Sequence, residues 1–143
     1  MDRKGDQDGR ELYFCKLANG VIPTNSIYED EDFNVILDAS PAAKGHALIL
    51  PKQHYKNLYE IDPEVLAKAA QLAQRIVCHE KEVLGAVGYN VLQNNEPAAG
   101  QTVFHYHVHL IPRYEQEDGE ILMWEHQSYS DEEMKEICES MKM

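Results

Sequence analysis

Three of the seven histidines of the chain, His105, His107 and His109, occupy alternate positions in one short stretch. The positions that separate and flank them are apolar: Phe104, Tyr106, Val108 and Leu110. Strict alternation of two kinds of side chain is typical of a β-strand, because successive side chains point to opposite faces of a sheet. The pattern therefore predicts a strand over residues 103–111, with one buried face and one face lined with imidazoles.

The spacing of a strand limits what these imidazoles can do. Same-face residues lie roughly 6.6 Å apart, which separates His105 and His109 by about 13 Å at the backbone. Three side chains so placed do not readily converge on one ion, whose nitrogen ligands lie about 2 Å from it. Different histidines of the row can instead take different roles along a substrate. One can attack as a neutral imidazole, which is a nucleophile, and another can donate a proton as a protonated imidazole, which is an acid. Chelation by two neighbours, or an outward face that merely carries histidines, stays open.

At residues 105–111 the sequence His-Tyr-His-Val-His-Leu-Ile resembles the motif of the histidine triad (HIT) superfamily, His-φ-His-φ-His-φ-φ with φ apolar. Residues 44–54 and 94–102 also resemble the family's flanking segments. The order of elements is similar to that of the Hint-like, nucleoside phosphoramidase-type branch, in its bacterial form. The resemblance implies an α+β, HIT-like fold with an antiparallel five-stranded sheet, one long helix and short terminal helices.

Local signals predict the elements of this fold. Residues 26–38 read as two strands joined by an acidic turn, and the apolar runs at 46–50 and 88–94 read as further strands. Asp62 and Pro63 begin a long amphipathic helix that Gly85 ends. Short helices are predicted at 11–19 and after a capping box at Ser130. Pro112 is expected to halt the triad strand. We expect a disordered head at 1–10, the HIT domain at 11–128 and a C-terminal helix at 129–143.

The resemblance implies catalytic roles for four histidines. His107 would attack the α-phosphorus of a nucleotide, His109 would donate a proton to the phosphate oxygens or the leaving group, and His105 with His46 would support this arrangement. His107 is also the one residue of the row with an imidazole on each side. To attack through one ring nitrogen it must hold its proton on the other, and a main-chain carbonyl near His105 could accept that proton's hydrogen bond. His46 as an ordinary buried histidine is the competing interpretation.

The substrate contacts that the resemblance implies lie at the base, the ribose and the phosphate: Tyr13, Phe14, Asp38, Asn94, Gln101 and Thr102. Asp38 would accept hydrogen bonds from ribose hydroxyls, although a strand-terminal Asp also caps turns. Tyr13 and Phe14 could equally be core residues. Turn formation explains Asn94 and its neighbour Asn95 about as well, and Asn95 matches the family position less securely.

The number and spacing of the cysteines indicate the redox state of the cellular compartment and whether a metal site is present. Cys15, Cys78 and Cys138 are odd in number and far apart, which argues against a disulfide framework. Many bacterial relatives carry Cys-x-x-Cys in a structural zinc site, whereas this chain has Leu12 at the first position. Because losing one thiolate weakens a four-ligand site, we expect no bound metal and no cofactor. Ligation by Cys15 with His46 or His54 would give a weak structural site. A metal-binding protein that uses two of the strand histidines with Cys15 is a third class of function.

The formal charge of −12 argues against binding to a nucleic acid polymer. No stretch approaches the roughly 20 apolar residues of a membrane span, and the N-terminal residues lack the apolar core of a signal peptide. We therefore expect a cytoplasmic protein without a membrane partner.

The resemblance implies hydrolysis of nucleoside 5′-phosphoramidates or related nucleotide conjugates through a nucleotidyl-histidine intermediate. Its expected partners are a purine mononucleotide such as AMP or GMP, and a second copy of the chain in a homodimer. Hydrolysis of dinucleoside polyphosphates is the alternative within the family. A non-catalytic module that binds purine nucleotides or a protein partner is the alternative from another class.

Overall fold

In the computed structural model the chain is described at residues 13–115 and 124–143. Within these residues five antiparallel strands form one sheet in the order β1-β2-β3-β5-β4. The strands are β1 Ser26–Glu29, β2 Phe33–Leu37, β3 Ala47–Pro51, β4 Gly88–Leu92 and β5 Val108–Arg113. Three α-helices accompany them, α1 at residues 13–18, α2 at Pro63–Leu84 and α3 at Asp131–Met141, together with a short 3₁₀ helix at Pro97–Ala99. The predicted α+β architecture is confirmed, while the head at 1–10 lies outside the described residues.

Alternation in the strands divides the apolar residues between the two faces of the sheet. On one face Val35, Ile49 and Leu110 pack against α2. On the other face Ile36 and Leu48 pack with Leu17 of α1. The sheet therefore has a helix on each face, and the smaller helix leaves room beside it for a cavity.

The ends of α2 follow the predicted signals. Asp62 Oδ1 accepts a hydrogen bond from the Glu64 amide at 2.8 Å, and Pro63 stands at the first helical position. Gly85 ends the helix at φ +72°, a left-handed conformation that favours glycine, and its N–H donates to the Lys81 carbonyl at 3.0 Å. None of the described helices is long and apolar enough to cross a membrane.

The C-terminal helix α3 begins at the predicted capping box. The Ser130 hydroxyl accepts from the Glu133 amide at 3.1 Å, and the Glu133 carboxylate accepts from the Ser130 amide at 3.3 Å. None of the residues of α3 is buried. The described part of the chain therefore leaves this helix on the surface, where capping rather than core packing fixes its start.

The triad stretch departs from the predicted strand. β5 starts only at Val108, so His109 lies on it while His105 and His107 precede it. Two positions beyond the pair Ile49 and Val108, the same register would place Tyr106 opposite Pro51, which has no N–H to donate. The Tyr106 amide instead donates to the Tyr55 carbonyl at 2.7 Å. The prediction of a regular strand is thus wrong for residues 103–107.

The expectation that Pro112 halts the ladder is also wrong, since β5 continues to Arg113 and pairs Pro112 with Tyr89. The Arg113 carbonyl accepts from Val87 on the β4 side. Neighbouring main-chain groups of a strand alternate in direction, so position 112 is directed to the β3 side, beyond its last pair at Ala47 and Leu110. Pro112 has no N–H, but at this position there is no β3 residue to which an N–H would donate, so no hydrogen bond of the sheet is lost.

Candidate active site

A cavity of about 770 Å³ lies on the face of the sheet opposite α2. Seven of the residues expected at the site line it: Tyr13, Phe14, Asp38, Asn94, Thr102, His107 and His109. Its apolar wall comes from Leu17, Ile36 and Leu48. A pocket with an apolar wall and a few polar groups is typical of a small-molecule site.

His107 is buried and held in one orientation by its own chain. Its Nδ1 lies 2.7 Å from the carbonyl oxygen of His105. A carbonyl can only accept, so Nδ1 carries the ring proton and Nε2 keeps its lone pair. The edge of the ring meets Phe14, with centroids 5.2 Å apart. Burial lowers the pKa of His107, against smaller opposing effects of the His105 carbonyl and the Asp38 charge, so the ring is neutral at neutral pH.

A chain of hydrogen bonds fixes the proton of His109. The Ala42 amide donates to His46 Nδ1 at 2.9 Å, which places the proton of His46 on Nε2. That nitrogen lies 2.9 Å from His109 Nδ1 and 3.5 Å from Asp38 Oδ2. His109 Nδ1 therefore accepts, and its own proton is on Nε2. Burial lowers the pKa of His109 to about 4, with further lowering by the charges of His107 and His46 and an opposing effect of Asp38.

Asp38 combines the two interpretations that its sequence position left open. One oxygen, Oδ1, accepts from the Ser40 amide at 2.8 Å and caps the turn after β2. The other, Oδ2, is directed to His46, and the residue lines the cavity. The hydrogen bond from the Ser40 amide holds the carboxylate in place through Oδ1 and does not use Oδ2.

His105 is separated from the other two triad rings. Its Nε2 donates to the Pro51 carbonyl at 2.9 Å, and its ring is fully buried. The ring contacts Cys15 and His54 and is not among the residues that line the cavity. Its contribution to the cavity is therefore the main-chain carbonyl that holds His107.

Only some of the predicted polar residues of the loop before the triad line the cavity. Asn94 and Thr102 line the cavity, whereas Asn95 bonds to Gln93 and to the Leu58 amide. Gln101 is buried, and its side-chain amide donates to the carbonyls of Lys56 and Val103 at 2.8 and 3.0 Å. Its oxygen accepts from the Glu96 amide at 2.8 Å. The described geometry therefore gives Gln101 a place within the loop, outside the cavity.

The apolar wall was not predicted as part of the site. Ile36 and Leu48 are direct partners across β2 and β3, so they lie side by side on one face. The alternation within each strand shows which residues share a face. The register that brings these two together is a long-range pairing, which local patterns do not encode.

Comparison with known proteins identifies the family. Residues 19–116 match the HIT domain. The chain belongs to the HIT family. It is 38% identical over 130 residues to Protein hit of Bacillus subtilis, covering 90% of each chain. It is 36% identical over 128 residues to the adenosine 5′-monophosphoramidase hnt1 of Schizosaccharomyces pombe, covering 90% of this chain and 93% of that one.

Solved HIT structures have the same fold. The crystal structure of a HIT family protein from Bacillus anthracis matches with a TM-score of 0.81 at 38% identity, over 89% of this chain and 92% of that one. A Zn-bound histidine triad family protein from Mycobacterium smegmatis matches with a TM-score of 0.70 at 39% identity, over 86% and 87% of the two chains. Together with the named phosphoramidase, the family supports nucleotide hydrolysis as the general activity of this HIT protein.

The lowered pKa of His109 predicts acid sensitivity. The unfolded chain takes up a proton at this ring near the ordinary pKa of 6.5, whereas the folded chain does so only at about 4. Stability from this residue is therefore present above pH 6.5 and is lost as the pH falls towards 4. Allowing for partial exposure of the ring, the loss in unfolding free energy is about 1–2 kcal/mol.

Urea unfolding of the wild type and of His109→Gln at pH 7 and pH 4.5 measures this contribution. The wild type should lose more unfolding free energy on acidification than the variant does. His79→Gln, which replaces an exposed histidine of α2, should behave like the wild type. Equal losses in the wild type and His109→Gln would contradict the assignment.

Proposed function

We propose that this HIT protein hydrolyses nucleoside 5′-phosphoramidates at the α-phosphorus through a nucleotidyl-histidine intermediate on His107. The observation that carries the proposal is the hydrogen bond from His107 Nδ1 to the His105 carbonyl, which leaves Nε2 with a lone pair in a residue that lines the cavity. The relatives named adenosine 5′-monophosphoramidase support this choice of substrate.

In the first step His107 Nε2 attacks phosphorus, a P–N bond to the ring forms, and the P–N bond to the amine breaks. The leaving nitrogen needs a proton, and His109 donates it from Nε2 as an imidazolium, a form that the anionic phosphate of the bound substrate favours. Donation returns His109 to its neutral form, and the ring is then held by the hydrogen bond from His46 Nε2 to His109 Nδ1. The fixed imidazoles need no reorganisation at the moment of reaction, which lowers the barrier.

In the second step a water molecule attacks the phosphorus from the side that the amine has left. The P–N bond to His107 breaks, and the proton of the water returns to His109. The products are a nucleoside monophosphate and the free enzyme, in which His107 is neutral and His109 is protonated as at the start. Splitting one displacement into two gives each step its own in-line entry to phosphorus.

The cavity offers a surface to each part of the nucleotide. A purine base would pack against Phe14, Ile36 and Leu48, with Tyr13 at the rim, and the ribose hydroxyls would bond to Asp38. Asn94 and Thr102 would contact the phosphate and the leaving group. For Gln101 we propose a positioning role, because its bonds to Lys56, Glu96 and Val103 hold the loop that carries Thr102.

Replacement of the nucleophile tests the proposal. We expect wild-type protein to hydrolyse adenosine 5′-phosphoramidate without added metal, and His107→Ala to lower kcat/KM at least about 1,000-fold, because the variant lacks the nitrogen that forms the intermediate. Steady-state kinetics with detection of the released AMP measures this. His79→Ala, an exposed histidine outside the cavity, is the matched control and should keep the wild-type rate.

AMP binding by His107→Ala, measured by calorimetry, separates a chemical defect from a folding defect. If the wild type binds AMP but turns over neither this substrate nor a dinucleoside polyphosphate, a nucleotide-binding module replaces the proposal. If it cleaves only the dinucleoside polyphosphate, the substrate class changes and the role of His107 is retested on that substrate.

We also propose that the protein is a homodimer joined through β4 in the cytoplasm. Both β1 and β4 are edge strands, but β1 has a register irregularity between Ser26 and Tyr28, which opposes pairing with another strand. Beside β4, an apolar cavity of about 210 Å³ lined by Leu66 and Val91 continues the exposed surface onto α2.

The three cysteines form no disulfide, which fits a reducing compartment such as the cytoplasm.

A lysine at either edge tests the dimer. Val91→Lys should give a monomer, because a charge at the paired edge opposes strand pairing. Ile27→Lys, on β1, is the matched control and should leave the dimer intact. Light scattering after size-exclusion chromatography gives the mass of each. A monomeric wild type, or a dimer that only Ile27→Lys disrupts, would contradict the proposal.

A further inference from the structure

Outside the cavity, the structure brings together three metal-ligating side chains from three parts of the chain. Cys15 lies in α1, His54 follows β3, and His105 precedes β5. Cys15 Sγ lies 3.3 Å from His105 Nδ1 and 3.5 Å from His54 Nδ1, and the two nitrogens are 3.1 Å apart. The nucleophile and the acid of the proposed reaction, His107 and His109, do not belong to this cluster.

The triangle of donor atoms fits one face of a tetrahedron around a zinc ion. Typical Zn–N and Zn–S distances place two nitrogen ligands about 3.3 Å apart and a nitrogen and a sulfur about 3.6 Å apart. The observed distances differ from these values by only a few tenths of an ångström. Small side-chain movements would therefore complete the three bonds.

The tautomer of His105 is also suited to a metal. Its Nε2 donates to the Pro51 carbonyl at 2.9 Å, so Nδ1 carries a lone pair directed at Cys15 and His54. Ligating histidines commonly donate their other N–H to a carbonyl in this way, which fixes the ring and raises its basicity. His54 is exposed, which gives an ion a route into the cluster from solvent.

The four-ligand zinc set that the family resemblance implies does not fit this chain. Its fourth ligand would be a cysteine three residues before Cys15, and position 12 is leucine, which has no donor atom. Structural zinc sites are closed by four protein ligands, whereas three protein ligands leave a position for water or another small ligand. One thiolate and two neutral imidazoles also leave a zinc complex with a net positive charge.

We propose that Cys15, His54 and His105 form an open transition-metal site that binds zinc reversibly through three protein ligands, with the fourth position occupied by solvent or a small anion. This site differs from a closed structural zinc site in its weaker affinity and exchangeable ligand. It borders the active site through one residue, because the His105 carbonyl holds the ring of His107.

Cobalt binding tests the proposal without reference to activity. Cobalt reports on a thiolate ligand through a sulfur-to-metal charge-transfer absorption. The parent protein carries Cys78→Ser and Cys138→Ser, which remove the two exposed cysteines outside the cluster. After dialysis against a chelator, it should bind one equivalent of cobalt with the thiolate absorption, and competition with zinc should give the zinc Kd.

Three substitutions in this parent test the contribution of individual ligands to metal binding. Cys15→Ser should abolish the thiolate absorption, and His54→Gln, at an exposed position, should weaken binding at least tenfold. Leu12→Cys should supply the missing thiolate and tighten zinc binding at least about 100-fold. His46→Gln is the matched control, since this histidine belongs to the cluster with Asp38 and His109, and it should leave the absorption unchanged.

Two results would overturn the proposal. If the parent shows no thiolate absorption with excess cobalt while Leu12→Cys does, these residues hold metal only as a closed site. If Leu12→Cys binds zinc no more tightly than the parent, the fourth position is not open in the parent. Neither result bears on the hydrolysis of phosphoramidates, which is tested with other residues.

Discussion

The hydrogen bond from the ring of His107 to the carbonyl oxygen of His105 determines what the rest of the site can do. In a regular strand the carbonyl of residue 105 would point along the sheet to a neighbouring strand, while side chain 107 would stand perpendicular to it. The bond is available because the chain has left the ladder before Val108. Pro51 is the physical cause, since it offers β5 no N–H and gives its carbonyl to the His105 ring instead.

The histidines on either side of His107 have different partners and different tasks. His109 is linked through His46 to a backbone amide, which fixes a proton on the nitrogen left for substrate. His105 is linked through Pro51 to the main chain, which fixes a lone pair towards Cys15 and His54. Backbone groups thus set both tautomers. Desolvation also lowers the pKa of both rings, the fully buried His105 and the partly buried His109, because a neutral imidazole costs less to desolvate than a charged one.

The elements that the sequence predicted best are those with local causes. Asp62, Pro63 and Gly85 bound α2 as expected, and the capping box at Ser130 begins α3, because caps depend on neighbouring residues alone. Val35 and Ile36, neighbours on a predicted strand, lie on opposite faces of the sheet, as the alternation of a strand requires. The break at residues 103–107 was not predicted, because it depends on Pro51, which lies 54 residues from the ring that takes its carbonyl.

The same distinction applies to the site. The motif predicted a nucleophile with a carbonyl near His105 behind it, and the structure has that contact. It did not separate the His105 ring from the other two, nor show that Gln101 is engaged within its loop. Both depend on which groups meet from distant segments. The pairing of Ile36 with Leu48, which forms the apolar wall, is of the same kind.

The identity of the phosphorylated atom tests this account most directly. Protein labelled with nitrogen-15 at histidine can be mixed with adenosine 5′-phosphoramidate, quenched during turnover and examined for coupling between phosphorus and a ring nitrogen. The account predicts coupling to Nε2 of His107, with Nδ1 still carrying its proton. Coupling to Nδ1 of His107, or to a nitrogen of His105 or His109, would contradict it.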